Sequence, residues 1–266
     1  MGDLEKATVQ ARDVLKRFNV QGKTALVIGG NKGLGQAMAM ALASAGADVC
    51  VAARGPEGLR ETADAIASFG RRGTHYALDA TAEEQVEQLV TQLLEWYGAI
   101  DILVNSQGTV HLEDAEDFST TQWEAVIDTN LKSLFLTCKH VGKIMLQQGT
   151  GKIINISSVR GYQGRSRDLA YAPSKGAVNQ LTKSLAIEWG PKGINVNGIA
   201  PVFTKTAINE HLLKDESILN WVLGRIPMKR LGELEDLFGP VIFLASEASN
   251  FVNGHTLPVD GGWLSA

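Results

Sequence analysis

The chain contains TALVIGGNKGLG at residues 24–35, a short apolar run that leads into a glycine-rich turn. The run predicts a buried strand, and the residues from Leu34 onward predict a helix. Glycines at this junction permit a tight turn and let another molecule approach the backbone closely. The free amides and the positive dipole end of the new helix attract phosphate. The stretch therefore predicts a strand, a turn and a helix that bind the pyrophosphate of a dinucleotide.

The rest of the chain repeats this alternation. Strand-like runs are predicted at seven places: Thr24–Ile28, Asp48–Ala52, Thr74–Leu78, Ile100–Val104, Lys152–Ile156, Asn195–Ile199 and Thr256–Val259. Helical patterns are predicted near residues 34–46, 57–69, 82–97, 120–147, 171–189 and 233–246. Strands that alternate with crossover helices are typical of a parallel sheet covered on both faces. The sequence therefore predicts an α/β fold with a doubly wound, Rossmann-type sheet.

The domain organisation follows from length and composition. The 266 residues contain no internal repeat, low-complexity run or linker rich in proline and glycine, so residues 21–266 are predicted to form one domain. Residues 1–20 carry apolar side chains at helical spacing and are predicted to form an amphipathic extension. The stretch from Phe203 to Arg225 interrupts the alternation and is predicted to be a lid or substrate loop.

Charge and cysteine content restrict the class of partner. The net charge is −4 and the pI is about 5.8, with dispersed Lys and Arg, so no nucleic-acid partner is expected. Cys50 and Cys138 lack metal-ligand spacing, and no metal is expected. The chain shows neither an apolar signal core nor a run long enough to span a bilayer. We expect a cytoplasmic protein with a small-molecule substrate and no membrane partner.

The end of the second predicted strand bears on the choice of dinucleotide. A carboxylate at this tip would bind the adenosine ribose hydroxyls and repel a 2′-phosphate. The strand ends instead in Ala53 and Arg54, with no acid. Arg54 suits a bidentate contact with phosphate, and Lys32 adds a second positive charge. The sequence predicts NADP(H) as the cofactor; the alternative is that both cations are solvated surface residues.

An acid–base pair is predicted at the start of the helix at residues 171–189. Tyr171 and Lys175 are four positions apart and share one helix face. A phenol has a pKa of about 10, and an adjacent cation favours the phenolate. Ser158, at the end of the preceding strand, would hold a substrate oxygen opposite Tyr171. The three residues predict a general acid–base site.

Several further motifs occur in a fixed order along the chain: Asp79 after the third strand, Asn105 after the fourth, Asn130, Ser158 thirteen positions before Tyr171, Pro201 with Thr206, and VDGG at residues 259–262. Over roughly residues 21 to 262, the chain resembles the short-chain dehydrogenase/reductase family. The resemblance implies a nicotinamide-dependent conversion between a ketone and a secondary alcohol. It also implies a homotetramer, or a homodimer, built through the helices near 120–147 and 171–189.

The resemblance implies roles for individual residues. Tyr171 would exchange a proton with the substrate oxygen that Ser158 positions. Lys175 would hold the nicotinamide ribose and lower the pKa of Tyr171, and Asn130 would support a water that links Lys175 to solvent. The full set predicted to bind the cofactor is Gly29, Asn31, Lys32, Gly33, Leu34, Gly35, Arg54, Asp79, Ala80, Asn105, Ser106, Gln107, Tyr171, Lys175, Pro201, Val202, Thr204 and Thr206.

The substrate is suggested by the segment between Ser158 and Tyr171. It carries Arg160, Gln163, Arg165 and Arg167 against the single acid Asp168. This composition favours an anionic or polyhydroxylated substrate, unless the arginines face solvent.

The residues from Tyr171 to Thr206 resemble the gluconate 5-dehydrogenase branch of the family, which implies a sugar acid. The same arginines would also suit the phosphopantetheine carrier of a 3-oxoacyl-acyl-carrier-protein reductase. A third alternative is a dinucleotide-binding sensor without turnover, which would not need the acid–base residues.

Overall fold

The computed structural model describes residues 11, 13–205 and 214–266. Seven strands form one sheet, and every neighbouring pair is parallel: β1 (Thr24–Ile28), β2 (Asp48–Ala53), β3 (Gly73–Ala77), β4 (Ile102–Asn105), β5 (Gly151–Ile156), β6 (Ile194–Pro201) and β7 (Thr256–Val259). The strand order is β3-β2-β1-β4-β5-β6-β7. All seven predicted strands are confirmed, and the doubly wound sheet is confirmed with them.

The helices follow the predicted alternation: α1 (Gly33–Ser44), α2 (Leu59–Ser68), α3 (Glu83–Tyr97), α4 (Thr120–Ile127), α5 (Ser133–Gln148), α6 (Tyr171–Trp189), α7 (Glu216–Arg225) and α8 (Phe238–Ala245). The stretch from Phe203 to Arg225, which was predicted to be a lid or substrate loop, contains α7. Residues 206–213 of this stretch lie outside the described residues. Of the predicted N-terminal extension, the described part contains only a short 3-10 turn at Val14–Phe18. Within the described chain, no helix has the length and apolar character needed to cross a bilayer.

Both faces of the sheet are covered. Strands β1 and β4 are buried along their whole length, which explains their nearly continuous apolar sequence. Met38 of α1 and Val241 of α8 belong to the core on one face. Leu89 of α3, Leu134 of α5 and Val178 of α6 belong to the core on the other.

The prediction of a single helix at residues 120–147 is wrong. A π-turn at Asp128–Lys132 divides this segment into α4 and α5. The Ser133 N–H donates to the Asp128 carbonyl, five residues earlier. The Ser133 hydroxyl donates to the Thr129 carbonyl at 2.6 Å, so the carbonyl that the π-turn displaces still has a partner. Such single π-turns are frequently found at functional sites. This one carries Asn130, which is fully buried.

The order of the strands locates the ligand-binding edge of the sheet. The chain places β2 on one side of β1 and β4 on the other, so its winding direction reverses between β1 and β4. Ligands of open α/β sheets bind outside the carboxyl ends of the strands at such a switch point. The segments that follow β1, β2, β4 and β5 all meet at this edge.

Candidate active site

A cleft of about 1810 Å³ opens at the carboxyl ends of the strands. It brings together most of the residues that the sequence predicted for the site: Gly29, Asn31, Lys32, Gly33, Leu34, Gly35, Arg54, Asp79, Ala80, Ser106, Gln107, Ser158, Tyr171, Lys175, Val202 and Thr204. These residues come from segments far apart in sequence, so the fold itself assembles the cleft.

The glycine turn forms one wall of the cleft and leaves no room for side chains. Gly29 has a φ of 75°, in the left-handed region, and a Cβ there would lie 2.9 Å from the Ser106 carbonyl carbon. A Cβ on Gly35 would lie 2.1 Å from the Gly29 carbonyl oxygen. Glycine at these positions lets the turn pack tightly against itself and against the segment after β4, and both glycines line the cleft at the beginning of α1. This cradle fits a pyrophosphate.

The far end of the cleft carries the charges expected for a phosphorylated ribose. Lys32 and Arg54 line it, and no carboxylate stands at the tip of β2. The Asp79 carboxylate accepts the Thr81 N–H at 3.0 Å and the Thr81 hydroxyl at 2.8 Å. The Thr81 backbone bond is the main cause that holds the pKa of Asp79 below its usual value, and the Arg54 charge acts in the same direction.

Gln107 gives a second indication that the cleft fits a bound molecule. Its Nε2 donates to the Ser133 hydroxyl at 3.0 Å, which fixes the side chain against the beginning of α5. Its Oε1 is buried and has no hydrogen-bond partner among the described residues. A buried acceptor without a hydrogen-bond partner lowers the stability of the folded protein. This oxygen is therefore suited to accept a hydrogen bond from a ligand.

Lys175 lies one turn after Tyr171 on α6 and is buried. Its Nζ donates to the Ile156 carbonyl at 2.8 Å and lies 5.7 Å from the centre of the Tyr171 ring. Burial lowers the pKa of Lys175 to about 8. The ammonium is therefore fixed at the end of β5, below the phenol that faces the cleft.

The expected net lowering of the pKa of Tyr171 is not found. Burial raises the pKa of the phenol, because it disfavours the phenolate. The Ser158 side chain and the charge of Arg160 oppose this rise, while the charge of Asp168 adds to it. The sequence pattern identified the neighbouring cation Lys175 but not the loss of solvent, which is the largest effect on the pKa of this phenol.

Ser158 stands opposite Tyr171 in an extended backbone conformation and is buried. Its Oγ accepts the backbone N–H of Arg160 at 3.1 Å. Because this bond uses an acceptor position, the hydroxyl hydrogen can be donated to the Tyr171 oxygen or, when a substrate is bound, to the substrate oxygen.

Asn130 lies behind the acid–base residues. Its Oδ1 accepts the Thr109 N–H at 2.7 Å, and its Nδ2 donates to the Thr109 carbonyl at 2.9 Å and to the Ser174 hydroxyl at 3.0 Å. These contacts use the donors of the side-chain amide and join the π-turn to α6 next to Lys175.

Two residues predicted to bind the cofactor, Asn105 and Pro201, do not line the cleft. Asn105 is fully buried; its Nδ2 donates to Asn155 Oδ1 at 2.9 Å and its Oδ1 accepts the Thr137 hydroxyl at 2.6 Å. Pro201 is buried at the end of β6. Thr206 lies outside the described residues. The side chain of Asn105 thus fastens β4 to β5 and α5.

Comparison with known proteins agrees with this geometry. A family model described as enoyl-(acyl carrier protein) reductase, one of the models of short-chain dehydrogenases, matches residues 28–264. The chain belongs to the short-chain dehydrogenase/reductase family. The match spans the glycine turn, the acid–base residues and the last strand, and the members of this family are oxidoreductases.

The relatives of this short-chain dehydrogenase/reductase share almost its full length. The 2-dehydro-3-deoxy-D-gluconate 5-dehydrogenase of Bacillus subtilis strain 168 is 46% identical over 248 residues, which cover 93% of this chain and 97% of the relative. The gluconate 5-dehydrogenase of Gluconobacter oxydans strain 621H is 37% identical over 245 residues, with 92% and 96% covered. The crystal structure of a gluconate 5-dehydrogenase from Burkholderia cenocepacia J2315, in complex with NADP and tartrate, superposes with a TM-score of 0.91 at 38% identity, covering 95% and 99%.

A substitution at Asn105 separates a structural role from a cofactor contact in this dehydrogenase/reductase. We expect Asn105→Ala to lower the free energy of unfolding by roughly 2–3 kcal/mol, because buried partners lose their hydrogen bonds. The KM for the cofactor should stay within about threefold of the wild type. Urea unfolding and steady-state kinetics measure the two effects. Asn250→Ala, at an exposed position, is the matched control, and a large rise in KM without loss of stability would contradict the structural role.

The half of the cleft around Ser158 and Tyr171, called the substrate half, contains Arg225, which the sequence did not mark as a site residue. Helix α7 contributes Trp221 and Arg225 to the lining, beside Arg160, Gln163 and Arg165. Arg225 is the last residue of the predicted substrate loop, and nothing in its local pattern marks it as part of the site. The sequence analysis considered only the arginines before Tyr171, because of the cationic composition of that segment.

The arginines before Tyr171 are not equivalent in this dehydrogenase/reductase. Arg167 does not line the cleft; its Nε lies 3.1 Å from Asp114 Oδ1 at the surface. Val202 is buried against Val159, Val222 and Trp263 below the substrate half.

Proposed function

We propose that the protein is an NADP(H)-dependent oxidoreductase that interconverts a ketone and a secondary alcohol on a sugar acid. The observation that carries the proposal is one cleft with a bare glycine turn at one end and with Ser158, Tyr171 and Lys175 at the other. When bound, the nicotinamide supplies or accepts the hydride. A protein that only sensed the dinucleotide would not need the acid–base residues.

The chain's own residues manage the proton and the position of the substrate. Tyr171 donates its phenolic proton to the substrate oxygen during reduction and accepts it during oxidation. The Ser158 hydroxyl donates a hydrogen bond to the same oxygen and holds it against Tyr171. Lys175 places a positive charge below the phenol, anchored on the Ile156 carbonyl. Asn130 positions α6 through its bond to Ser174.

The preference for NADP(H) is supported by charge. Lys32 and Arg54 line the cleft beyond the glycine turn, and their charges complement a 2′-phosphate. The absence of a carboxylate after Ala53 removes the group that would select NAD(H). The B. cenocepacia relative, crystallised with NADP, supports the same choice.

A sugar acid as substrate is supported by two observations. The substrate half is polar and cationic, with Arg160, Arg165, Arg225 and Gln163 in its lining. The relatives from B. subtilis and G. oxydans are named for gluconate derivatives. An apolar ketone would leave these polar groups without partners.

A homotetramer is proposed for this protein by family resemblance. The outward faces of α5 and α6 expose Phe135 and Ile187, which are 46% and 78% accessible. Such side chains suit burial between subunits. A monomeric mass in sedimentation would contradict this assembly.

A substrate panel tests the proposed function. We expect NADPH oxidation with 5-dehydro-D-gluconate or 2,5-didehydro-3-deoxy-D-gluconate, and kcat/KM at least roughly 10²-fold lower with neutral simple ketones and with acetoacetyl thioesters, which lack the matching polar groups. Absorbance at the cofactor band measures the turnover. Turnover of thioesters alone would replace the proposal with a 3-oxoacyl-acyl-carrier-protein reductase. Binding of NADPH without turnover of any compound would favour the sensor.

A further inference from the structure

Arg160 is an unusual arginine because it is buried in the substrate half of the cleft. Only 9% of its surface is exposed, although it lines the cleft. Its Nη1 donates to the Gly164 carbonyl at 3.3 Å. Its Nη2 is buried and has no hydrogen-bond partner among the described residues. A buried guanidinium group with an unused donor requires an acceptor from elsewhere.

The charges around Arg160 do not neutralise it. In the described part of the chain, no carboxylate forms a salt bridge with Arg160. The charges of Arg165 and Arg225 disfavour its protonated form, while that of Asp168 favours it. Asp168 is the one carboxylate among these groups; its Oδ1 accepts the Ala172 N–H at 2.9 Å at the beginning of α6, and its Oδ2 is buried without a hydrogen-bond partner among the described residues. The region therefore has an excess of positive charge that an anion would balance.

An aromatic platform fixes the direction of the guanidinium group. The Arg160 Cζ lies 5.4 Å from the centre of the Trp263 ring, and the Arg225 Cζ lies 5.3 Å from the same ring. Trp263 is 2% exposed, and its Nε1 donates to Gln163 Oε1 at 2.9 Å, so the ring is held in place. A guanidinium group held against an aromatic ring loses little entropy when it binds a carboxylate through two parallel hydrogen bonds.

We infer that Arg160 binds the carboxylate of the substrate and that Arg225, on the same tryptophan, adds a second positive charge. This assignment rests on the proposed function and specifies how a sugar acid is distinguished from a neutral sugar. Arg160 also joins the two ends of the substrate site, because its main-chain N–H holds the Ser158 Oγ at 3.1 Å. One residue thus contacts the carboxylate by its side chain and orients the reacting end by its backbone.

The test compares an acid with its neutral amide. D-Gluconate and D-gluconamide have nearly the same shape but differ in charge, and isothermal titration of the enzyme saturated with NADPH, which cannot oxidise either alcohol, measures the affinity for each. We expect Arg160→Gln to weaken gluconate binding by roughly 10²-fold, the scale of a lost buried charge pair, and gluconamide binding by less than about threefold. The affinity of Arg160→Lys for gluconate should lie between those of the wild type and Arg160→Gln, because lysine retains the charge but lacks the planar guanidinium group.

Arg167→Gln is the matched control, since it removes an arginine from the same loop that pairs with Asp114 and does not line the cleft. It should leave both affinities unchanged. The Arg160 variants keep the main-chain N–H that contacts Ser158, and their affinity for NADPH, measured separately, should equal that of the wild type.

Two outcomes overturn the inference. One is that Arg160→Gln weakens the binding of gluconate and of gluconamide equally; the other is that the wild-type enzyme binds the amide as tightly as the acid. The proposed function fails independently. If the wild type reduces no sugar acid but binds gluconate more tightly than gluconamide, and Arg160→Gln abolishes that difference, then the carboxylate site stands and the proposed substrate is wrong.

Discussion

Tyr171→Phe is expected to lower kcat by roughly 10³–10⁴-fold in both reaction directions, because it removes the atom that we propose exchanges a proton with the substrate oxygen. The aromatic ring and its packing at the beginning of α6 remain, so the affinity for NADP(H) should be unchanged. Stopped-flow single turnovers measure the chemical step, and cofactor fluorescence measures binding.

The pH profile of the same variant gives a second readout. Burial raises the pKa of Tyr171, so the phenolate needed for oxidation is scarce at neutral pH and increases as the pH rises toward that pKa. Oxidation should therefore accelerate with rising pH, whereas reduction, which needs the phenol, should be level near neutrality and decline above the pKa. Both dependences should disappear in Tyr171→Phe.

Tyr162→Phe is the matched control, because the Tyr162 hydroxyl donates to the Thr256 carbonyl at 2.9 Å and lies outside the main cleft. Its kcat and pH profile should match those of the wild type. If Tyr171→Phe retained most of the activity, or kept the wild-type pH profile, another group would have to be the acid.

Arg54→Asp is expected to lower kcat/KM with NADPH by roughly 10²–10³-fold and to raise it with NADH, because a bidentate phosphate contact is replaced by a carboxylate that repels phosphate. The new carboxylate would stand at the tip of β2, where it suits the ribose hydroxyls of NAD(H). The ratio of the two kcat/KM values, measured at constant ionic strength, reports the change.

Arg60→Asp makes the same change of charge on the exposed surface of α2 and should leave the ratio unchanged. A preference for NADPH that survived Arg54→Asp would show that Arg54 is a solvated surface residue. A wild-type enzyme that preferred NADH would refute the cofactor assignment itself.

The sequence was sufficient for the sheet and for most helices. Strands such as β1 and β4 are apolar along their whole length because helices cover both faces, and this leaves a clear pattern. Helix α6 was predicted with its observed ends, because glycine and proline follow Trp189. The π-turn at Asp128–Lys132 was missed because one additional residue in a turn hardly alters the apolar periodicity over so long a segment.

The site was predictable where a motif fixes the spacing and not where tertiary contacts decide. The glycine turn and the pair Tyr171 and Lys175 lie within continuous segments. The buried position of the Asn105 side chain could not be predicted, because its partners, Asn155 and Thr137, are brought to it only by the folded sheet. Similarly, nothing in the sequence distinguishes the buried Arg160 from the exposed Arg165. The ring that packs against Arg160 belongs to Trp263, near the end of the chain.

The central position of β1 affects how the chain acquires its structure. The edge of β1 that pairs with β4 remains unpaired until β4 has been synthesised and packed. This parallel pairing closes the long segment between β1 and β4, and such pairings form slowly. During this interval an apolar strand edge is exposed to other chains. A dinucleotide that binds only the completed cleft draws the equilibrium toward the native state. The amount of functional enzyme in a cell should therefore depend on the supply of free cofactor as well as on the rate of synthesis.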